Sequence, residues 1–417
     1  MKFPRTVVGE FTRHALTLMT GTIVAQAIPI AVSPLLTRQY SPSEFGIFAI
    51  YTALTAVLTV ASTGRYELAL NLPRSNLVAA HLVLLASIWA AAFLLASTTL
   101  FWLILPLFNL GNFSWVFGLL PVSIAISATI QILNYWLNRR KRYRDAAVSR
   151  ALQGACFAAV GVSLGFSGFT EGMVLGFIAG QIACLVYLVA GSSSDLATYG
   201  RKLRKSMAIR TALRYRDFPR VLIVAHSLNL FSSRLPILIM PISFGTSAAG
   251  LYSLTQQVIG LPMQLVGSAI GDVFRQQASE EFRKTGSCLA IYLRTMRALM
   301  ALYVVPFLVM ATLSPNLFSF VFGEAWHSAG IMAQILAPMF FIQFVSSPLS
   351  SMFMIAEKQR EDLLWQSALL AMTAISLGLG WMADSIEVCV TLFSASYCIM
   401  YGINLWMTYR FATAQQK

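Results

Sequence analysis

Apolar runs long enough to cross a bilayer recur twelve times along this chain: 15–36, 45–63, 77–103, 115–137, 147–166, 172–190, 221–242, 249–270, 295–313, 329–355, 363–381 and 388–407. A helix of about 20 apolar residues spans the hydrocarbon core, and lipid offers no partner to a bare backbone group, so each run predicts a transmembrane helix. Composition argues the same way. Only 11% of residues are charged and the mean hydropathy is +0.69, whereas a soluble domain carries about 25% charged residues. The expectation is an all-α membrane protein of about twelve transmembrane helices in two six-helix lobes, 1–190 and 221–417. Residues 191–220 would form a basic linker helix between them. Ala25-Gln26-Ala27 imitates a signal-peptidase site, but the apolar run continues to Leu36 and is read as an uncleaved span.

The net charge of +14 invites a nucleic-acid reading, which would need basic residues gathered on one folded module. None is present. The basic residues fall in short stretches between apolar runs, as expected of loops facing an anionic cytoplasmic leaflet. With the N-terminus inside, all 30 Lys and Arg sort to the cytoplasmic side except Arg38 and Arg234. Both termini are then cytoplasmic, and the short external connections leave no external domain. The longest basic stretch holds Arg201, Lys202, Arg204, Lys205, Arg210, Arg214 and Arg216 among Leu203, Met207, Ile209 and Leu213. It reads as an amphipathic helix on the inner leaflet, either a solvated connection or a docking site for acidic partners or lipid head groups.

Two segments repeat. Residues 41–50 align with 245–254, matching Gly46 to Gly250, and residues 138–143 align with 356–361. Six spans per half give both halves the same orientation, hence a parallel repeat with a cavity between the lobes. Prolines within spans, among them Pro34, Pro236, Pro262 and Pro338, bend their helices. The spacings Gly161/Gly165, Gly172/Gly176/Gly180 and Gly267/Gly271 offer small faces for close helix contact.

Arg234 is the most conspicuous polar residue, because a guanidinium inside an apolar run is costly and is usually aimed at a bundle interior or aqueous cavity. It either anchors a phosphate or other anion in the cavity or snorkels to the external interface. Gln26, Asn229, Gln256 and Gln257, with Ser232 and Ser233, would hydrogen-bond sugar hydroxyls or neighbouring helices. Arg65 and Glu67 after Gly64, and Asp272 and Arg275 after Gly271, place charges of both signs at matching span ends. They form either an inner gate of salt bridges or interfacial decoration. The cysteines Cys156, Cys184, Cys288, Cys389 and Cys398 lack disulfide or zinc spacing. The four histidines share no ligand spacing, and no catalytic motif, metal site or cofactor motif is present.

A set of short motifs in fixed order completes the reading: residues 37–46 after the first span, Arg65-Tyr66-Glu67, Tyr215-Arg216-Asp217-Phe218-Pro219, Ser233-Arg234-Leu235-Pro236, Gly250-Leu251-Tyr252, Leu261-Pro262, and Phe322-Gly323-Glu324-Ala325-Trp326 with Ala329-Gly330. Together they resemble the polysaccharide exporters of the MOP superfamily, the Wzx-type O-antigen flippases, over essentially the whole chain. The resemblance implies a two-lobed, non-enzymatic transporter in the bacterial inner membrane. Its substrate would be undecaprenyl-pyrophosphate-linked oligosaccharide, its surroundings membrane lipids, and its neighbours the polysaccharide polymerase machinery. It also implies basic residues in a central cavity, where Arg234 fits. Related exporters carry more cavity arginines, so this cavity is less cationic. The rivals are a drug or lipid II transporter of the same superfamily, or a membrane polysaccharide polymerase, which the short external loops disfavour.

Overall fold

The computed structural model describes residues 27–104 and 114–413, and every regular element among them is helical. After α1 (Ala27–Leu36) come α2 (Pro42–Ser62), a 3-10 turn (Tyr66–Asn71), α3 (Asn76–Ile104), α4 (Ser114–Gly118), α5 (Leu120–Arg139), α6 (Tyr143–Phe166), α7 (Gly172–Gly200) and α8 (Lys205–Arg214). A π turn (Phe218–Leu222) leads into α9 (Ile223–Phe244). Then follow α10 (Thr246–Thr255), a second π turn (Gln256–Gly260), α11 (Leu261–Thr285), α12 (Leu289–Phe322), α13 (His327–Leu349), α14 (Met352–Ile355), α15 (Gln359–Met382) and α16 (Ile386–Thr413).

Nine helices among the described residues are long and apolar enough to cross a membrane, which makes this a multi-pass membrane protein. The other three apolar runs meet shorter apolar helices or interrupted ones. Only 27–36 of the first run is described. The seventh begins in a π turn, and the eighth is broken by the π turn at Gln256–Gly260. That break has a local cause: Pro262 has no N–H to give the carbonyl of residue 258, so the hydrogen-bond register slips by one residue.

The helices gather into two compact units. One joins the chain up to Tyr40 with Phe48–Arg234, and the other joins Ser41–Ile47 with the chain from Leu235 onward. The division falls inside α9, whereas the charge pattern placed it at 191–220. The first third of that connection, 191–200, is a continuation of α7, in which Ser192 is buried and Asp195 takes an ion pair from Arg140 at 3.2 Å. Only Lys205–Arg214 forms a helix of its own, and it packs on α3.

In the first unit the glycine spacings act as expected. A Cβ added at Gly176 would stand 2.9 Å from the Gly161 nitrogen, and one at Gly180 would stand 2.5 Å from the Gln153 carbonyl oxygen, so α6 and α7 meet backbone to backbone. A second cluster buries Tyr66, Leu70, Leu82, Ile132, Trp136 and Tyr215, tying the 3-10 turn to α3 and α5.

The second unit contains a reciprocal crossing. A Cβ on Gly46 would overlap the Thr246 carbonyl oxygen, and one on Gly250 would overlap the Pro42 carbonyl oxygen. In the aligned repeat Pro42 matches Thr246 and Gly46 matches Gly250, so the two equivalent segments pack against each other with the same contact in both directions. The second aligned pair shares a backbone motif. Lys141 and Glu357 both turn left-handed, at φ 57 and 56. The following N–H in each case reaches back five residues, Arg142 to Leu137 O at 2.9 Å and Lys358 to Phe353 O at 2.7 Å, which closes α5 and α14 in the same way.

Candidate functional site

In the first unit, polar side chains converge where α2 ends. Gly64 and Arg65 both take positive φ, 61 and 57. For arginine that backbone costs roughly 1–2 kcal/mol. The turn folds Arg65 back over the 3-10 segment, where its Nη1 meets Glu67 Oε1 at 3.2 Å. The two side chains are 11% and 0% exposed. Gln131 of α5 donates its Nε2–H to the same carboxylate oxygen at 3.0 Å. Tyr135, one turn along α5, and His226 of α9 lie within electrostatic reach of both charges.

The cluster is incompletely satisfied. Glu67 Oε2, Arg65 Nε and His226 Nδ1 are buried without a hydrogen-bond partner among the described residues. Native interiors leave few such atoms bare, and those that persist usually face water, an ion or a functional task. A carboxylate with one oxygen carrying two donors and the other free can accept a further hydroxyl, ammonium or proton.

The second unit holds a cavity of about 400 Å³ beside the π turn. Gln256, Asp272 and Arg275 reach it from the long α10–α11 run, and Phe340, Gln343 and Phe344 from α13. Gly267 and Gly271 keep that wall low. A Cβ at Gly271 would only touch Pro348, at 3.4 Å. Gln256 donates to the Tyr252 hydroxyl at 2.8 Å and Gln343 to the Tyr401 hydroxyl at 3.3 Å, so both amides are held in place with acceptor oxygens to spare. Arg275 and Asp272 pair at 3.0 Å with 49% and 69% of their side chains exposed. Aromatic faces, amides and a solvated ion pair around such a space suit a polyhydroxylated ring: apolar C–H faces lie on phenylalanine while planar polar groups exchange hydrogen bonds with hydroxyls.

The sequence-derived site residues thus separate into groups. Arg65 and Glu67 form a buried pair in one unit, while Gln256, Asp272 and Arg275 share a cavity in the other. Gln257 is half-buried in the π turn, and Arg234 lies on α9 with an exposed side chain. Gln26 lies outside the described residues, as does the side chain of Asn229. Sequence reasoning missed Gln131, His226, Gln343, Phe340 and Phe344. Gln131 and Gln343 carried a weak signal: each is an amide in a mostly apolar span, but each span holds a second amide, Asn134 in one and Gln334 in the other. His226 carried none.

The sequence profile of a family described as polysaccharide biosynthesis protein matches residues 35–330, more than half of the chain. No curated protein matches it. Among solved structures, the lipid II flippase MurJ in an inward closed conformation is similar over 95% of this chain and 87% of that one, at 11% identity and a TM-score of 0.70. An inward-facing multidrug resistance transporter of the MATE family aligns over 93% of this chain and 96% of that one, with 11% identity and a TM-score of 0.66. A MOP superfamily transporter from Pyrococcus furiosus, described by the reverse polarity of its binding pocket, covers 97% and 96%, at 12% identity and a TM-score of 0.60. With the motif order, the helical units and these likenesses together, the chain belongs to the polysaccharide biosynthesis protein family and has the fold of the MOP superfamily transporters.

Proposed function

We propose that this protein is an alternating-access flippase that moves a polyprenyl-pyrophosphate-linked oligosaccharide, an O-antigen or related surface polysaccharide unit, from the cytoplasmic to the outer leaflet of the bacterial inner membrane. The observation that carries the reading is membership of a polysaccharide biosynthesis family on a fold shared with a lipid II flippase. Twelve spans in two parallel six-helix lobes, with both termini cytoplasmic, remain the topology the charge distribution favours. A polyprenyl tail needs no protein passage through lipid. The polar head does, and its hydroxyls find suitable partners in Gln256, Gln343 and the Asp272–Arg275 pair, over Phe340 and Phe344.

Arg234 is the cation we assign to the pyrophosphate, with Gln26, Asn229 and Gln257 as further polar contacts along the path. Arg65–Glu67 and Asp272–Arg275 serve as inner gates. The rival occupant is lipid II itself, and a strain depleted of the surface polysaccharide but normal in cell-wall synthesis separates the two. Deleting the gene should abolish long surface polysaccharide while lipid-linked units accumulate on the inner leaflet. Arg234→Ala should lower transport of a fluorescent lipid-linked oligosaccharide in proteoliposomes by roughly tenfold or more, the worth of a charge-assisted contact, and Arg234→Lys should restore part of it. Full activity of Arg234→Ala would remove Arg234 from the site.

A further inference from the structure

The helix α8 has two faces with different fates. Its inner face is docked: Thr211 and the following Tyr215 are buried. The N–H of Arg204 donates to Nε2 of the fully buried His81 at 3.2 Å, while the other ring nitrogen of His81 lies 2.7 Å from the Leu77 carbonyl oxygen. Through these two contacts His81 pins the start of α8 to α3. The outer face is bare. It carries Lys205, Arg210 and Arg214, all exposed, together with Ile209 and Leu213 at 52% and 62% exposure.

Between Leu196 and Arg216 there are seven basic residues and no acidic one. None of the seven forms an ion pair with a carboxylate among the described residues. Two exposed aliphatic side chains one turn apart, flanked by unneutralised cations, are poorly suited to water. They match the boundary between anionic head groups and acyl chains, where cations meet phosphate and aliphatics enter the hydrocarbon. Position agrees with chemistry, because the apolar helix α7 ends at Gly200, a few residues before α8 begins, and keeps it close to the membrane surface.

We propose that the outer face of α8 binds anionic phospholipid, with Lys205, Arg210 and Arg214 on the phosphates and Ile209 and Leu213 inserted at the level of the glycerol backbone. The flanks of α8 also carry the anchor inward. Leu203, Tyr215 and Phe218 pack in the cluster that holds Tyr66 and Leu70, the turn that presents Glu67.

The test is amide hydrogen exchange of the full-length protein in nanodiscs of phosphatidylcholine alone or with increasing phosphatidylglycerol. Exchange across 205–214 should slow as phosphatidylglycerol rises, and less so at high salt. Lys205→Gln, Arg210→Gln and Arg214→Gln should each shift the half-saturating anionic fraction by roughly fivefold. Ile209→Ser with Leu213→Ser should reduce the protection while the salt response survives. Unchanged melting of each variant keeps misfolding out of the comparison. The readout does not depend on transport, so a failed transport assay leaves it standing. Equal exchange in both kinds of disc, or an equal response of all variants, would overturn the proposal. Protection that needed an added acidic protein would overturn it too and assign the face to that partner.

Discussion

Two ion pairs follow a glycine, one just past the end of α2 and the other in the middle of α11, and as bare sequence the two look alike. After Gly64, Arg65 and Glu67 are buried and share Gln131. After Gly271, Asp272 and Arg275 are largely exposed and bond to each other at 3.0 Å. The difference lies in the backbone. Arg65 sits in a left-handed turn that reverses the chain and presses its charge into a protein interior, whereas α11 runs straight on from Gly271 to Thr285. Equal charge patterns therefore have unequal energies: as gates, the first pair is buried and costly to part, while the second is solvated and easily parted.

The largest expected effect follows from that contrast. Glu67→Ala would strand a buried guanidinium and should lower stability by about 3–5 kcal/mol, measured as denaturant unfolding of the purified protein in detergent. Replacing both partners, Arg65→Met with Glu67→Leu, should recover much of the loss, because matched apolar groups avoid the stranded charge. If the single change were silent, Glu67 would be reachable by water and the contrast between the two pairs would dissolve.

Next in size is Gln131→Leu, which removes one of two donors to Glu67 Oε1 and should cost about 1.5–3 kcal/mol. The corresponding change in the second unit, Gln343→Leu, removes a 3.3 Å bond between neutral groups and should cost about 1 kcal/mol in stability. Transport should respond in the opposite order if Gln343 serves the sugar.

These comparisons also mark what the sequence could tell. The apolar runs were legible because lipid enforces helices on any run of that length. The glycine faces of α6 and α7 were legible because a spacing of four places them on one stripe. Arg65 and Glu67 were visible as charges, but their burial was not, since Gln131 stands 64 residues away and contributes only through the fold. The π turn at Gln256–Gly260, which sets the orientation of Gln256, needs the backbone register around Pro262. The basic connection was readable as amphipathic, yet which of its faces was docked depended on His81, more than a hundred residues earlier.

Glycines sharpen the contrast at intermediate cost. Gly176→Ala would force the Gly161 backbone aside and should destabilise by about 1–3 kcal/mol, the usual cost of overpacking. Gly271→Ala meets only Pro348 at ordinary contact distance and should be close to neutral in melting. It narrows the cavity of the second unit, so a fall in oligosaccharide transport without a fall in stability is its expected signature.

The smallest change in stability belongs to Asp272→Ala. Its pair with Arg275 is solvated on both sides, and exposed pairs contribute about 0–1 kcal/mol, less in salt. Melting should therefore move little, and by less still at high ionic strength. Transport is the informative measurement. An unpaired Arg275 at the cavity mouth would hold a phosphate-bearing head group more tightly, so Asp272→Ala should lower the concentration needed for half-maximal transport while slowing release, and Arg275→Ala should do the reverse. A destabilisation of Asp272→Ala matching that of Glu67→Ala would instead give the two pairs the same structural role.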